Sequence, residues 1–260
     1  MDKKTTPNLN GTVSGRTTST QWINLNKGRF MLLGLIVGLI VFGACATSNK
    51  SKQGKAHYSI GVAKLNENDI SGALIEFRKA LDIDPYDKES LNALGLVYLQ
   101  LENYDQAKDS LLKAIRVDPK YSEAYNNLGL VYVKLNKWED AANVFADALK
   151  NPLYVAPDKA YNNLGYSLYR LGRYVDAIAA FKDSIKRNST SAVAFYGLSL
   201  AHNAIKHYGD ASVYLMDAIK LDPNYAGNVK QAHEDFKKKR LKGSTQEQKD
   251  YADFLEILNY

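Results

Sequence analysis

With a single cysteine, Cys45, in 260 residues, the chain can form no internal disulfide, and a disulfide-stapled scaffold is excluded. Proline is scarce as well, at 6 residues, so little interrupts helical runs. The 4 histidines, His57, His202, His207 and His233, fall in different segments or on different helix faces. No His-Glu-x-x-His pattern sets two of them on one turn, and no metal site is expected. A glycine-rich phosphate loop and a nucleophile elbow are also missing, so the chain is expected to hold no cofactor and to be no enzyme. Excess charge is lacking outside the first residues. Lys3, Lys4, Arg16, Lys27 and Arg29 face the single acid Asp2 before Cys45, and most of the net +6 belongs there. A nucleic-acid partner is therefore not expected, nor is a small-molecule substrate.

What is present begins with a leader, 1–44. Its first part is rich in Thr, Ser, Asn and Gly without apolar periodicity, as in disordered segments. Lys27 and Arg29 then precede an uncharged apolar run from Phe30 to Ala44, of signal-peptide length and short of the about 20 residues that span a bilayer. The run ends Phe42-Gly43-Ala44-Cys45, which resembles a bacterial lipobox, with Phe42 in place of the usual Leu. That resemblance implies lipidation of Cys45. With Ala46 next to it, it further implies an outer-membrane lipoprotein facing the periplasm; an uncleaved inner-membrane anchor with a periplasmic domain is the alternative. Residues 45–53 are expected to form a short polar linker.

From Gly54 the sequence matches itself. Gly61, Gly95, Gly129, Gly165 and Ser199 are spaced by 34, 34, 36 and 34 residues. Twelve positions after each comes an alanine: Ala73, Ala107, Ala141, Ala177, Ala211. Four further on stands a bulky residue, Phe77, Leu111, Phe145, Phe181 or Leu215, and Asp-Pro closes three repeats at Pro85, Pro119 and Pro223. Small residues let two helices approach, and aromatic or leucine side chains fill the space beside them. Tyr98, Tyr132, Phe145 and Phe181 are thus expected in the core. The pattern resembles the tetratricopeptide (TPR) family, which implies an all-α, right-handed superhelical solenoid of five hairpins: 54–87, 88–121, 122–157, 158–191 and 192–225. Residues 226–260 are expected to cap it with helices over Asn228–Arg240 and Thr245–Leu258. The basic cluster Lys237–Arg240 with Lys242 reads as a solvated helix face, with a lipid-headgroup contact as the alternative.

In that family the first helix of each pair lines a groove that holds a polypeptide. Carried onto this chain, the groove comprises Tyr58 and Val62; Asn92 and Leu96; Asn126, Asn127, Leu130 and Lys134; Asn162, Asn163, Tyr166, Tyr169 and Arg170; and Tyr196 and Leu200. Stacked asparagines offer a backbone both donors and acceptors, or serve only as a solvated helix face. The two extra residues within Asn151-Pro-Leu-Tyr-Val-Ala-Pro157 form either a tolerated surface insertion or a protrusion that offers Tyr154 and Val155 to a partner.

A lipobox followed by TPR repeats, with a Tyr- and Pro-bearing insertion before the fourth, resembles the type IV pilus pilotin lipoproteins, the PilF, PilW and Tgl group. The resemblance implies a scaffold that promotes assembly of the secretin, with a secretin subunit as partner. An envelope adaptor for cell-wall hydrolases or barrel-assembly factors, and a periplasmic chaperone-like TPR protein, are the competing expectations.

Overall fold

The computed structural model describes residues 50–260, so Cys45, the apolar run and the rest of the leader lie outside the described residues. Among the described residues there are helices and turns and no strand. Helix α1 already runs at residue 50 and continues to 66, so 50–53 are helical where a linker was expected. The compact unit is Gly54–Tyr260. In it α1 pairs with α2 (Ile70–Ile83), α3 (Lys88–Gln100) with α4 (Tyr104–Val117), and α5 (Ser122–Lys134) with α6 (Trp138–Ala148). The series continues with α7 (Pro157–Arg170) and α8 (Tyr174–Arg187), then α9 (Ala192–Ala204) and α10 (Tyr208–Leu221). Each hairpin packs on the next, as in a TPR solenoid.

The periodic residues explain the hairpins. Phe77, Leu111, Phe145, Phe181 and Leu215 are all essentially buried, and each contributes about 1.5–3 kcal/mol of burial. In the first four hairpins a glycine is the hole that receives the bulky side chain. A Cβ on Gly129 would come within 2.4 Å of the Phe145 ring, and one on Gly61 within 2.6 Å of Phe77. Tyr98 and Phe181 lie in the core, and Tyr132 packs half-buried against it.

Both kinds of turn repeat as well. Between the helices of a hairpin one residue takes a left-handed conformation: Asn68, Glu102, Asn136, Gly172 and Lys206 in turn, at φ between 56° and 76°. The reversal closes on the preceding helix by bonds such as Asn103 N–H to Tyr98 O at 2.8 Å and His207 N–H to His202 O at 2.9 Å. Between hairpins an Asx turn recurs. Asp84, Asp118 and Asp222 accept from the backbone N–H two residues on, at 2.9–3.0 Å. Asn188 does the same at 3.2 Å where the fourth repeat has no proline.

Two features depart from the sequence reading. In the insertion, Tyr154 is turned inward against Ala148 and Ala160 and does not protrude, while Leu153 and Val155 are more than four-fifths exposed. The tyrosine ring fills the gap that the longer turn opens. After the repeats, α11 (Val229–Lys242) and α12 (Thr245–Ile257) form a hairpin, each with an N-cap: Asn228 for α11, and a Ser244–Glu247 capping box for α12. They do not simply extend the stack as an end cap. Helix α12 turns back onto α9 and α10 because its apolar face, Phe254, Leu255 and Ile257, finds cover there.

Candidate partner-binding surface

The first helices, α1, α3, α5, α7 and α9, carry every groove residue expected from the sequence, but the chain treats its two halves differently. Over α7 and α9 the surface is occupied by α12. The Phe254 ring packs 5.2 Å from the Tyr196 ring, and Leu200 is buried in the same apolar cluster. Tyr169 donates to Asp253 at 3.4 Å. Tyr166 donates to Asp250, and Arg170 pairs with that same carboxylate. At the two ends of α12, Gln246 donates to Asn136 at 3.3 Å and Tyr260 to Asn203 at 3.1 Å. A cavity of about 220 Å³ remains between this helix and Leu130, Asn162, Val193 and Gly197.

The asparagines bind one another. Asn127 donates to Asn92 at 2.8 Å and Asn163 to Asn126 at 3.0 Å, each bond crossing from one repeat to the one before. Asn162 donates at 3.0 Å to Ser191, the N-cap of α9. Asn126 and Asn162 are also nine-tenths buried. The ladder therefore braces the stack, and at least one amide function of each linked residue is committed to it.

Over α3 and α5 the surface is different. Leu96 and Leu130 are half-buried and belong to neither large core cluster, and Lys134 is exposed. On α1, Tyr58 and Val62 pack against the core of the first repeats, with the Tyr58 ring 5.8 Å from Phe77. Helix α12 makes no contact with α3. Acids gather at the start of these helices: burial raises the Glu89 carboxyl above its usual range, with Asp87 beside it, and burial together with Glu123 and Glu89 raises the Tyr121 phenol. Lys88 stands at 2.6 Å from Asp118 and over the Tyr121 ring.

Electrostatics also mark the α12 seat. Burial pushes the Asp250 carboxyl up to about 6 despite the opposing pull of Arg170 and Tyr166. Asp253 is raised by the same cause. Asp250 is a site residue that the sequence pattern does not single out, although a charged residue between Glu247, Tyr251 and Phe254 on a half-apolar helix is the available signal of a partner. The pattern also separates the histidines. That separation holds for His57 and His233, but the His202 and His207 rings lie 5.9 Å apart across the α9–α10 turn.

Sequence profiles described as tetratricopeptide repeat match residues 92–152, 127–192 and 162–226, and a second such profile matches 54–87. No curated protein matches the sequence significantly. Among solved structures, MamA is 26% identical, covering 64% of this chain and 96% of its own, at a TM-score of 0.57. PilF of Pseudomonas aeruginosa is 21% identical over 79% of this chain and 99% of its own, at 0.62. PilW, described as a widely conserved type IV pilus biogenesis factor, is 22% identical over 80% and 98%, at 0.60. At such identities the likeness to PilF and PilW is one of fold.

Proposed function

Because the chain belongs to the tetratricopeptide repeat family, we propose that it is a scaffold that binds a polypeptide along α3 and α5, and that it serves type IV pilus biogenesis as a pilotin. The observation that carries the binding surface is the asymmetry of the inner face. Among the described residues, α12 covers α7 and α9, whereas Leu96, and Leu130 at the edge of the cavity beneath α12, remain available as apolar anchors beside exposed Lys134. An extended or helical segment laid across two or three repeats would use them together.

The pilus assignment rests on the fold shared with PilF and PilW and on the order of parts in the chain, a lipobox-like Cys45 and then repeats with an insertion before the fourth. In this reading acylated Cys45 fixes the protein at the outer membrane. Each buried methylene adds about 0.8 kcal/mol, so two or three acyl chains hold it there. The partner is a secretin subunit. Tethering raises its local concentration at the membrane it must enter, with no chemistry required.

The test is deletion of the gene in a piliated host. Loss of heat-resistant secretin multimers from the envelope, restored by the intact gene and not by a Leu96→Glu/Leu130→Glu variant, is the expected result. Multimers that persist in the deletion strain would overturn the pilotin role.

A further inference from the structure

We propose that His202, His207 and Asp210 form a binding site for one divalent transition-metal ion of the zinc class, seated on the α9–α10 turn. The three residues each offer one ligand atom, and these atoms lie within 4.8 Å of one another. Asp210 Oδ2 is 3.4 Å from His202 Nδ1 and 3.7 Å from His207 Nδ1. Ligands held at 2.0–2.2 Å in a tetrahedral zinc site are about 3.3 Å apart, so Asp210 already stands near ligand distance from both imidazoles, and the two histidine nitrogens, within 4.8 Å of one another, need only side-chain rotation to close the shell. Both separations are too long for good hydrogen bonds between these groups.

The second observation is His202 itself. It is 7% exposed, on the last turn of α9, and neither ring nitrogen has a hydrogen-bond partner among the described residues. A buried imidazole with two idle nitrogens is costly unless something binds it. Its Tyr214 neighbour, with ring centroids 5.0 Å apart, holds the plane in place.

The geometry comes from the fold. The left-handed Lys206 reverses the chain, His207 N–H bonds back to His202 O, and Asp210 follows one turn along α10. Two imidazoles and one carboxylate suit zinc, nickel or copper, whereas magnesium and calcium take oxygen ligands. Water would complete the coordination on the open side, where His207 and Asp210 are 60% exposed. An ion there would clip the fifth hairpin beside Tyr208, whose ring packs at a tilt against Tyr260, with centroids 4.7 Å apart.

The experiment is calorimetric titration of zinc chloride into the detergent-held full chain carrying Cys45→Ala, which removes its one thiol. One zinc per chain is expected, with no binding of magnesium chloride. His207→Ala and Asp210→Asn, both at exposed side chains and so without cost to the fold, should each weaken zinc binding at least about 10-fold. His57→Ala and His233→Ala should leave it unchanged. Absence of saturable zinc binding, or unchanged affinity in either His207→Ala or Asp210→Asn, overturns the site.

Discussion

Arg170, at the end of α7, and Asp250, one turn into α12, meet as an ion pair whose side chains are only 8% and 10% exposed. This pair joins positions 80 residues apart and sits where a TPR groove would hold a ligand. Removing one member of a buried pair costs about 3–5 kcal/mol when the other charge stays buried. Here the orphaned carboxylate has an escape, because α12 can lift off and hydrate it. Arg170→Ala is therefore expected to release α12 and leave the first three hairpins intact. Amide hydrogen exchange would show it: rapid exchange over 245–257, with α3 to α6 still protected.

Acidity should act on the same contact. The Asp250 carboxyl rises to about 6 in the folded chain from an ordinary 3.8, chiefly through burial, with Arg170, Tyr166 and Lys249 pulling down and Asp253 pushing up. A raised folded pKa means the docked state holds its proton more tightly than the open one. The stabilisation is complete below about pH 4 and is lost as pH rises through about 6. Asp253, also raised, works in the same direction. Exchange over α12, corrected for intrinsic rates, should thus show firmer docking at pH 5 than at pH 7.5, and Asp250→Asn should abolish most of the difference.

The contrast between these helices and the repeats shows what sequence can convey. Gly129 and Phe145 form a contact whose equivalent, glycine against a bulky side chain, recurs in the first four hairpins, so spacing alone discloses it. The buried face of α12 is equally plain from Tyr251, Phe254, Leu255 and Leu258, but amphipathicity says which face is covered and not what covers it. Nothing local distinguishes an end cap from a helix laid over α9. The asparagines are ambiguous for a different reason: an amide satisfies another amide as readily as it does a peptide backbone, and Asn127 finds Asn92. His202 and His207, five positions apart, lie on opposed faces of any continuous helix, and only the left-handed turn at Lys206 brings them together.

Glycine substitutions separate packing from propensity. At Gly129 a methyl group would press to 2.4 Å on the Phe145 ring, which neighbours on every side hold in place. Gly129→Ala is expected to lose about 1–3 kcal/mol, the usual cost of overpacking. Gly209 lies in the first turn of α10, where an added methyl group would meet nothing within 4 Å and the backbone is not left-handed. Gly209→Ala should gain up to about 1 kcal/mol from helix propensity alone. Urea denaturation of the two variants would show opposite shifts of midpoint at similar slope.

The left-handed turns offer a further stabilising change. Glu102 adopts φ 59° with a side chain that disfavours it, while the equivalent position of the fourth repeat is Gly172 at φ 76°. Glu102→Gly removes a conformational cost of about 1–2 kcal/mol, offset in part by the greater freedom of glycine in the unfolded chain. A net gain of about 0.5–1 kcal/mol is expected, read as a higher denaturation midpoint. Gly172→Glu should shift it the other way.

Binding itself should depend on the half of the inner face that α12 leaves open. Asn126 and Asn162 are unsuitable probes, since both are buried and their amides hold neighbouring repeats together. Leu96→Ser and Leu130→Ser change side chains that the core does not need. If they are anchors, each should raise the Kd for the partner at least about 10-fold, in keeping with the loss of about 2 kcal/mol typical of a central contact. Deleting α11 and α12 by a stop after Asn228 uncovers Tyr166, Tyr196 and Leu200, and opens the cavity beside Leu130, without touching α3. Partner affinity retained in that truncation, together with its loss in Leu96→Ser, would place binding on the first three repeats; the reverse pattern would place it under α12 and make that helix a competitor for the site.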